Sequence, residues 1–179
     1  MHGKGMKIES KDVSNFRIRK AVKEDAPLIL QFIKKLARYE RLSHEVTATK
    51  EALHKNLFGK NRFAEVILAE YRRKAVGFAL YFNNFSTFVG KPGIYIEDLY
   101  VDEMYREHGF GRALFNHIVR LAQKRGCGRM EWSVLDWNSP AIRFYKSKGA
   151  LPLSDWTTYR LTQEPLTKLV KSSNKKTDR

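Results

Sequence analysis

Three apolar, β-rich stretches follow one another in the middle of the chain, with helical patterns on both sides. The stretches cover residues 64–71, 75–83 and 94–102, and a short basic turn joins the first two. Strands joined by so short a turn pair antiparallel, whereas a strand that follows a helix can join a sheet in parallel. The order therefore predicts an α/β domain whose sheet is antiparallel first and gains parallel neighbours later.

The flanking sequence supplies the remaining elements of this domain. They are a strand at 16–20, a helix at 23–42, a helix after Thr47 or Thr49 that ends at Gly59, a helix at 111–125 stopped by Gly126, a strand at 129–135, a helix at 139–148 and a strand at 157–163. Polar cap residues mark the helix starts, with Asp25 before the first helix and Asn138 or Ser139 before the last. Gly149 follows that last helix as its C-terminal glycine.

Length and composition bound the domain count and the cellular setting. A chain of 179 residues with 42% apolar residues suits one domain with one core. We expect a flexible leader at 1–15, the folded domain at 16–166 and a basic tail at 167–179. The sequence contains no apolar run long enough to span a membrane, and one cysteine cannot form an intramolecular disulfide, so a soluble cytoplasmic protein is predicted.

The formal net charge of +15 leaves a second class of function open. A basic surface suits nucleic acid, an anionic membrane or an anionic small molecule. The basic residues are spread over the whole sequence, and most aromatic residues fall at core positions instead of alternating with basic ones. A nucleic-acid-binding module is therefore the rival hypothesis and not the leading one.

The segment Arg106-Glu107-His108-Gly109-Phe110-Gly111-Arg112-Ala113 lies between a predicted strand and a predicted helix. Its two glycines allow the backbone to curl so that N–H groups point inward, and the following helix adds its positive N-terminus; both features favour a pyrophosphate. A plain glycine turn is the simpler alternative. A dinucleotide fold fits less well, because Leu114 stands where a third glycine is needed. No Walker lysine followed by Ser or Thr is present.

Four further segments extend this motif: KKLARYERLSHEV, FALYFNNFSTFVGK, IYIEDLYV and LDWNSPAIRFYKSKGA. With Arg-x-x-Gly-x-Gly, they resemble the GNAT superfamily of N-acetyltransferases, and within it the diamine acetyltransferases that act on spermidine, spermine or thialysine. The similarity runs through most of residues 16–161. It implies a GNAT fold, with a mixed, mostly antiparallel central sheet that is splayed between strands 4 and 5 and flanked by helices. It also implies acetyl-CoA as co-substrate and a homodimer.

The resemblance further implies which residues contact the two substrates. Implied acetyl-CoA contacts are Leu99, Tyr100 and Val101 on the strand, Glu107, His108, Gly109, Phe110, Gly111 and Arg112 in the loop, and Asn138, Ser139, Pro140, Ala141 and Tyr145 around the last helix. Implied contacts to the acceptor amine are Tyr39, Glu40 and Glu97.

Two of these residues have a chemical role in the implied reaction. A phenol at Tyr145 can donate a proton to the departing thiolate. An amine near pKa 10.4 is mostly protonated at neutral pH, so some group must accept its proton, and Glu97 could do so or could only bind the ammonium. Because side chains alternate along a strand, only one of Glu97 and Asp98 is expected to enter the site.

The acceptor is predicted to be a small amine. The chain reads Leu42-Ser43-His44-Glu45 and Ser86-Thr87-Phe88 where polyamine enzymes carry acidic residues, so a short monoamine or diamine is favoured over spermine. A protein lysine or an N-terminal amine is the alternative acceptor. The five histidines show no metal-ligand spacing, so no metal is expected, and neither is a membrane or nucleic-acid partner.

Overall fold

A computed structural model describes residues 15–177, so that residues 1–14 of the predicted leader lie outside the described part. The chain divides into two compact units, Met1–Leu135 and Asp136–Arg179. The elements of the first unit are β1 (Phe16–Lys20), α1 (Ala26–Tyr39), α2 (Lys50–Phe58), β2 (Glu65–Tyr71), β3 (Lys74–Ser86), β4 (Lys91–Val101), α3 (Phe110–Lys124) and β5 (Arg129–Trp132). The second unit contains α4 (Ser139–Lys146) and α5 (Gln163–Thr177).

The five strands form one mixed sheet in the order β1-β2-β3-β4-β5. The pairs β1–β2, β2–β3 and β3–β4 are antiparallel, and β4–β5 is parallel. The parallel pairing joins Gly93–Ile96 to Arg129–Trp132 and stops there, although β4 continues to Val101. The predicted α/β class and the opening between strands 4 and 5 are therefore confirmed.

Helices cover both faces of this sheet. The α1 face holds a core in which Phe32 stacks on Phe78 at 5.5 Å between ring centroids and contacts Tyr100 at 6.2 Å. On the opposite face, a Cβ at Gly111 of α3 would lie 3.7 Å from Val101 and 3.9 Å from Leu99. Burial on both faces explains why these strands are almost continuously apolar in sequence.

The helix caps agree in part with the sequence. Thr49 caps α2, since its hydroxyl accepts the Ala52 N–H at 3.1 Å, and Asn138 caps α4 by accepting the Ala141 N–H at 3.4 Å. Asp25 precedes α1, but its side chain does not cap the helix. Its carboxylate instead accepts the Val22 N–H at 2.8 Å. The predicted start of this helix at residue 23 is a 3₁₀ turn, Lys23–Asp25.

The carboxylate of Asp25 belongs to a group that we call the β1 anchor: Arg17, Arg19, Asp25 and Glu70. Arg19 donates to Asp25 at 2.6 and 2.8 Å and to Glu70 at 2.6 Å, and Arg17 donates to the other Glu70 oxygen at 2.6 Å. Hydrogen bonds from Arg19 lower the pKa of Asp25. Burial alone would raise the pKa of Glu70, but the two arginines outweigh it and the net direction is down. The anchor therefore fixes β1, β2 and the start of α1 to one another.

The predicted strand at 157–163 is wrong. Among the described residues of the second unit, none forms a strand, and 151–162 are exposed throughout. A β-branched and aromatic sequence favours a strand only where a neighbouring strand completes the hydrogen-bond ladder. Helix α5 occupies residues 163–177, where an ion pair between Glu164 and Lys168 at 2.6 Å spans one helical turn. No helix within residues 15–177 has both the length and the apolar character that crossing a bilayer requires.

Candidate functional site

The end of β4 that continues beyond β5, residues 97–101, has no neighbouring strand on one side. The Asp102 N–H donates to the Val76 carbonyl on β3 at 2.9 Å. Hydrogen-bonded pairs alternate along an antiparallel ladder, so the backbone of Tyr100, two residues earlier, also bonds to β3. By the same alternation, the N–H and C=O groups of Leu99 and the N–H group of Val101 face the opening beside β5, while the Val101 carbonyl accepts the Arg106 Nε–H at 3.2 Å. We call this row of groups the open β4 edge.

The open β4 edge divides the three predicted strand contacts. Leu99 and Val101 present backbone groups there, which is the arrangement that an extended chain would need in order to bind as an additional strand. Tyr100 does not, since its backbone turns to β3 and its side chain, 5% exposed, packs in the α1-face core. A periodic strand pattern shows where side chains point but not which backbone groups lack a neighbouring strand.

The loop before α3 ends in an uncapped helix N-terminus. Gly109 is the N-cap residue with φ +82°, a left-handed conformation that glycine adopts without steric cost, and no side chain caps the helix. The first amide that bonds within the helix is that of Ala113, which donates to the Gly109 carbonyl at 2.9 Å. The preceding amides of residues 110–112 can therefore serve an anion, so this segment fits a pyrophosphate.

Neighbouring side chains hold this loop in shape. Phe110 is 7% exposed and stacks on Phe16 with ring centroids 4.7 Å apart, so it can offer a ligand only its backbone. The His108 Nδ1–H donates to the Arg106 carbonyl at 2.6 Å, which fixes the ring at the turn. The side chains of Glu107 and Arg112 are exposed.

No role for Arg106 is predicted from sequence, although this residue opens the glycine motif. Its Nε–H donates to the Val101 carbonyl at 3.2 Å. Its guanidinium lies 4.3 Å from the centroid of the Tyr39 ring and 5.6 Å from that of Tyr100, both within the range of cation–π attraction. Arg106 thereby connects the loop to the end of α1, where Tyr39 and Glu40 lie. The glycine motif identifies Arg106 as a residue of interest, but only the fold shows which groups it contacts.

Three carboxylates are associated with the end of α1 and the open half of β4. Burial raises the pKa of Glu40. Burial first, and then the charges of Glu97 and Glu40, raise the pKa of Asp98 to about 7. Glu97 is exposed and has no partner on β3, because the register passes from Tyr81–Ile96 to Leu80–Asp98 around it. Glu97 is thus the extra residue of a β-bulge, and the strict alternation used to choose between the two acids does not hold there.

The other predicted residues belong to the second unit. Asn138 caps α4, Ser139 and Pro140 form its exposed first turn, and Ala141 donates the amide that Asn138 accepts. Tyr145 lies on the same helix, half-buried, with its ring centroid 5.4 Å from that of Phe144. Burial raises the pKa of the Tyr145 hydroxyl, so the phenol keeps its proton at neutral pH.

Comparison with known proteins bears directly on this arrangement. The sequence model of the Acetyltransferase (GNAT) family matches residues 29–150. A thialysine N-epsilon-acetyltransferase from Mus musculus is 34% identical, over 88% of this chain and 98% of that protein. An L-ornithine N5-acetyltransferase from Arabidopsis thaliana is 33% identical, over 84% of this chain and 86% of that protein.

The fold also matches solved structures. An integron cassette protein from the mobile metagenome of V. cholerae superposes with a TM-score of 0.74 at 27% identity, over 88% of this chain and 98% of that one. The family model spans the open β4 edge and the uncapped start of α3. The chain therefore belongs to the acetyltransferase (GNAT) family and is an N-acetyltransferase.

Proposed function

We propose that the protein transfers the acetyl group of acetyl-CoA to the primary amine of a small diamine, polyamine or lysine-like substrate such as thialysine. The amine attacks directly while both substrates are bound. The observation that carries this proposal is the open β4 edge in the same unit as an uncapped helix N-terminus. One feature offers a row of backbone groups to an extended chain, and the other offers amides to a diphosphate.

The residues available to acetyl-CoA follow from that arrangement. The turn at Glu107, His108 and Gly109, together with the amides of residues 110–112, would hold the pyrophosphate. The backbone of Leu99 and Val101 would hold the pantetheine arm, with additional contacts from residues 138–141. When bound, the co-substrate supplies an activated thioester, and backbone N–H groups directed at its carbonyl would stabilise the charge that develops there.

Two side chains are proposed to act directly on the reacting groups. Tyr145 would donate its hydroxyl proton to the departing sulfur, a role supported by a phenol that burial keeps protonated. Glu97 would bind the incoming ammonium at the bulge, where it is exposed. Tyr39 and Glu40 at the end of α1 would complete the acceptor site.

The relatives bear on the choice of acceptor. Their names refer to thialysine and L-ornithine, each a small molecule with a primary amine on a flexible arm. A surface with a net charge of +15 repels a polycation at long range, which favours such acceptors over spermine. A protein lysine or an N-terminal amine is the second candidate, and poor activity on every free amine would favour it.

We further propose that residues 16–166 make up the acetyltransferase domain, that 167–179 form a basic tail, and that the enzyme is a cytoplasmic homodimer. Exposed apolar side chains in the second unit support self-association. They are Leu151, Leu153, Trp156, Tyr159 and Leu161. Sedimentation velocity at several protein concentrations tests the dimer.

The proposed function is tested by a free-thiol assay with acetyl-CoA and a panel of amines, on wild type and on Tyr145→Phe. We expect Tyr145→Phe to slow transfer roughly 10²-fold, as loss of a general acid does, while calorimetry shows that acetyl-CoA binding survives. Tyr159→Phe is the matched control, because Tyr159 is 91% exposed in the same unit. Full turnover in Tyr145→Phe would remove Tyr145 from this role. A wild-type protein that neither binds acetyl-CoA nor releases thiol would overturn the proposed function itself.

A further inference from the structure

We propose that Asp98 is the catalytic residue that accepts the ammonium proton of the acceptor amine. This inference rests on the proposed function and makes it more specific, because it assigns the base to a residue other than the neighbouring Glu97. Four features of the β4 region support it: the face on which Asp98 lies, the bulge beside it, the charges around it and its ionisation.

The face of the sheet is the first feature. Asp98 pairs with Leu80 on β3, and Tyr100 pairs with Phe78. Residues two apart in a strand lie on the same face, and Tyr100 packs against Phe32 of α1. Asp98 therefore lies on the α1 face of the sheet. This is the face of the proposed acceptor residues at the end of α1.

The bulge is the second feature. It falls at Glu97, directly after the last residue of β4 that pairs with β5, Ile96. Bulges redirect side chains and are common beside active sites. Here the bulge leaves Glu97 exposed, whereas Asp98 stays half-buried beside the open β4 edge.

The surrounding charges are the third feature. The charged groups that act on Asp98 are Glu97 on its own strand and Glu40 on α1, and both are acidic. Within residues 15–177, none of these three carboxylates forms an ion pair. The nearby cation Arg106 is engaged by the Val101 carbonyl and the Tyr39 ring. An ammonium group is the ligand that this negative surrounding attracts.

Ionisation is the fourth feature and supports the geometry. The pKa of Asp98 is raised to about 7, first by burial and then by its two acidic neighbours. A base is most effective when its pKa lies near the operating pH, since it is then ionised often enough and still holds a proton well. Asp98 is half-buried, whereas the neighbouring Glu97 is exposed.

The Asp98 carboxylate takes one proton from the ammonium nitrogen, which frees the lone pair for attack on the thioester carbonyl carbon. As the C–N bond forms and the C–S bond breaks, the sulfur leaves with the bonding pair and takes the Tyr145 hydroxyl proton. The second proton on nitrogen and the proton held by Asp98 leave to solvent, and solvent returns one proton to the Tyr145 phenolate.

The test compares pH profiles of kcat/KM for wild type, Asp98→Asn and Glu97→Gln with one lysine-like amine. We expect wild type to lose activity on the acid side of about pH 7, in line with the raised pKa. Asp98→Asn should be slower by roughly 10²-fold at neutral pH. Its deficit should shrink as the pH rises toward the amine pKa of about 10.4, because a growing fraction of the amine has then lost its own proton. Glu97→Gln should keep the acid limb even if its rate falls.

Three controls keep the result decisive. Glu51→Gln, at an exposed position on α2, should leave the profile unchanged. Calorimetry should show that Asp98→Asn still binds acetyl-CoA, and Asp98→Glu, which keeps a carboxylate, should recover part of the rate. An acid limb that persists in Asp98→Asn and disappears in Glu97→Gln would overturn the proposal in favour of Glu97. A deficit in Asp98→Asn that does not change with pH would overturn it in favour of a structural role. Failure of wild type to transfer acetyl at all would instead count against the proposed function.

Discussion

The β1 anchor and the open half of β4 both contain carboxylates, but their pKa values are shifted in opposite directions. The anchor contains Asp25 and Glu70, and β4 contains Asp98. Each is partly or fully removed from water, which by itself raises a carboxyl pKa. In the anchor, Arg17 and Arg19 outweigh that effect and the net direction is down. At Asp98 the nearest charges are acidic, so they add to the effect of burial.

The difference separates two uses of the same chemical group. Carboxylates that are paired with arginines connect elements, and ionisation strengthens the fold. A carboxylate without a cation weakens the fold when it ionises, and this cost is typical of a group retained for binding or catalysis. Burial alone therefore does not distinguish a structural acid from a functional one, and the charges beside the acid must be considered as well.

The largest expected effect comes from removing a carboxylate of the β1 anchor that is paired with an arginine. Asp25→Ala leaves Arg19 with one carboxylate partner, removes an acceptor from the Val22 N–H and should lower the free energy of unfolding by about 3 kcal/mol. Urea denaturation at neutral pH measures this change. Glu24→Ala is the matched control, since the side chain of Glu24 is 67% exposed and its ion pair is 3.8 Å long; it should cost less than about 0.5 kcal/mol. Equal losses in the two variants would contradict a structural role for the anchor.

The next prediction concerns Asp98, where removal of the carboxylate should stabilise the protein instead of destabilising it. Asp98 has its ordinary pKa of 3.8 raised to about 7, so the folded state holds this proton more tightly and loses stability as pH rises through that window. Raising this pKa from 3.8 to about 7 is worth up to about 4 kcal/mol, and screening by solvent reduces this to about 2 kcal/mol. Asp98→Asn should therefore stabilise the protein by about 2 kcal/mol at about pH 8 and by little at about pH 4.

Thermal and urea unfolding of wild type and Asp98→Asn at both pH values measure that difference. The anchor titrates equally in the two proteins, so its contribution cancels. Glu51→Gln should show no such dependence, because Glu51 is exposed. Destabilisation by Asp98→Asn at the higher pH would mean that Asp98 is paired after all and would remove the contrast between the two regions.

The smallest expected change in stability tests how solvent exposure weakens an ion pair within the β1 anchor. Arg17 and Arg19 both contact Glu70 at 2.6 Å, but the side chain of Arg17 is 69% exposed and that of Arg19 is 29% exposed. An exposed ion pair contributes little because water and salt screen it, so Arg17→Ala should cost about 0.5 kcal/mol. Arg19→Ala, which also removes the bonds to Asp25, should cost several times more. Chemical denaturation of both variants at two salt concentrations provides the comparison.

Much of the fold could be predicted because local sequence determines it. The helix of α3, its stop at Gly126 and the caps at Thr49 and Asn138 follow from spacing and capping chemistry that act within a few residues. Where the outcome depended on a partner in another element, prediction failed. The strand expected at 157–163 lacks a neighbouring strand, and Asp25 bonds to Arg19 across the β1–α1 connection instead of capping its helix.

The same division applies to the candidate site. The glycine motif, the end of α1 and the Glu97–Asp98 pair were visible in sequence, because residue type and order alone make them unusual. Which acid faces α1, which backbone groups lack a partner and what Arg106 touches were decided only by tertiary structure. Register, a bulge and burial determine those properties, and each arises from contacts between residues far apart in the chain. The sequence by itself determined which chemical groups are present and roughly where, while folding decided which of them are paired and which remain available for chemistry.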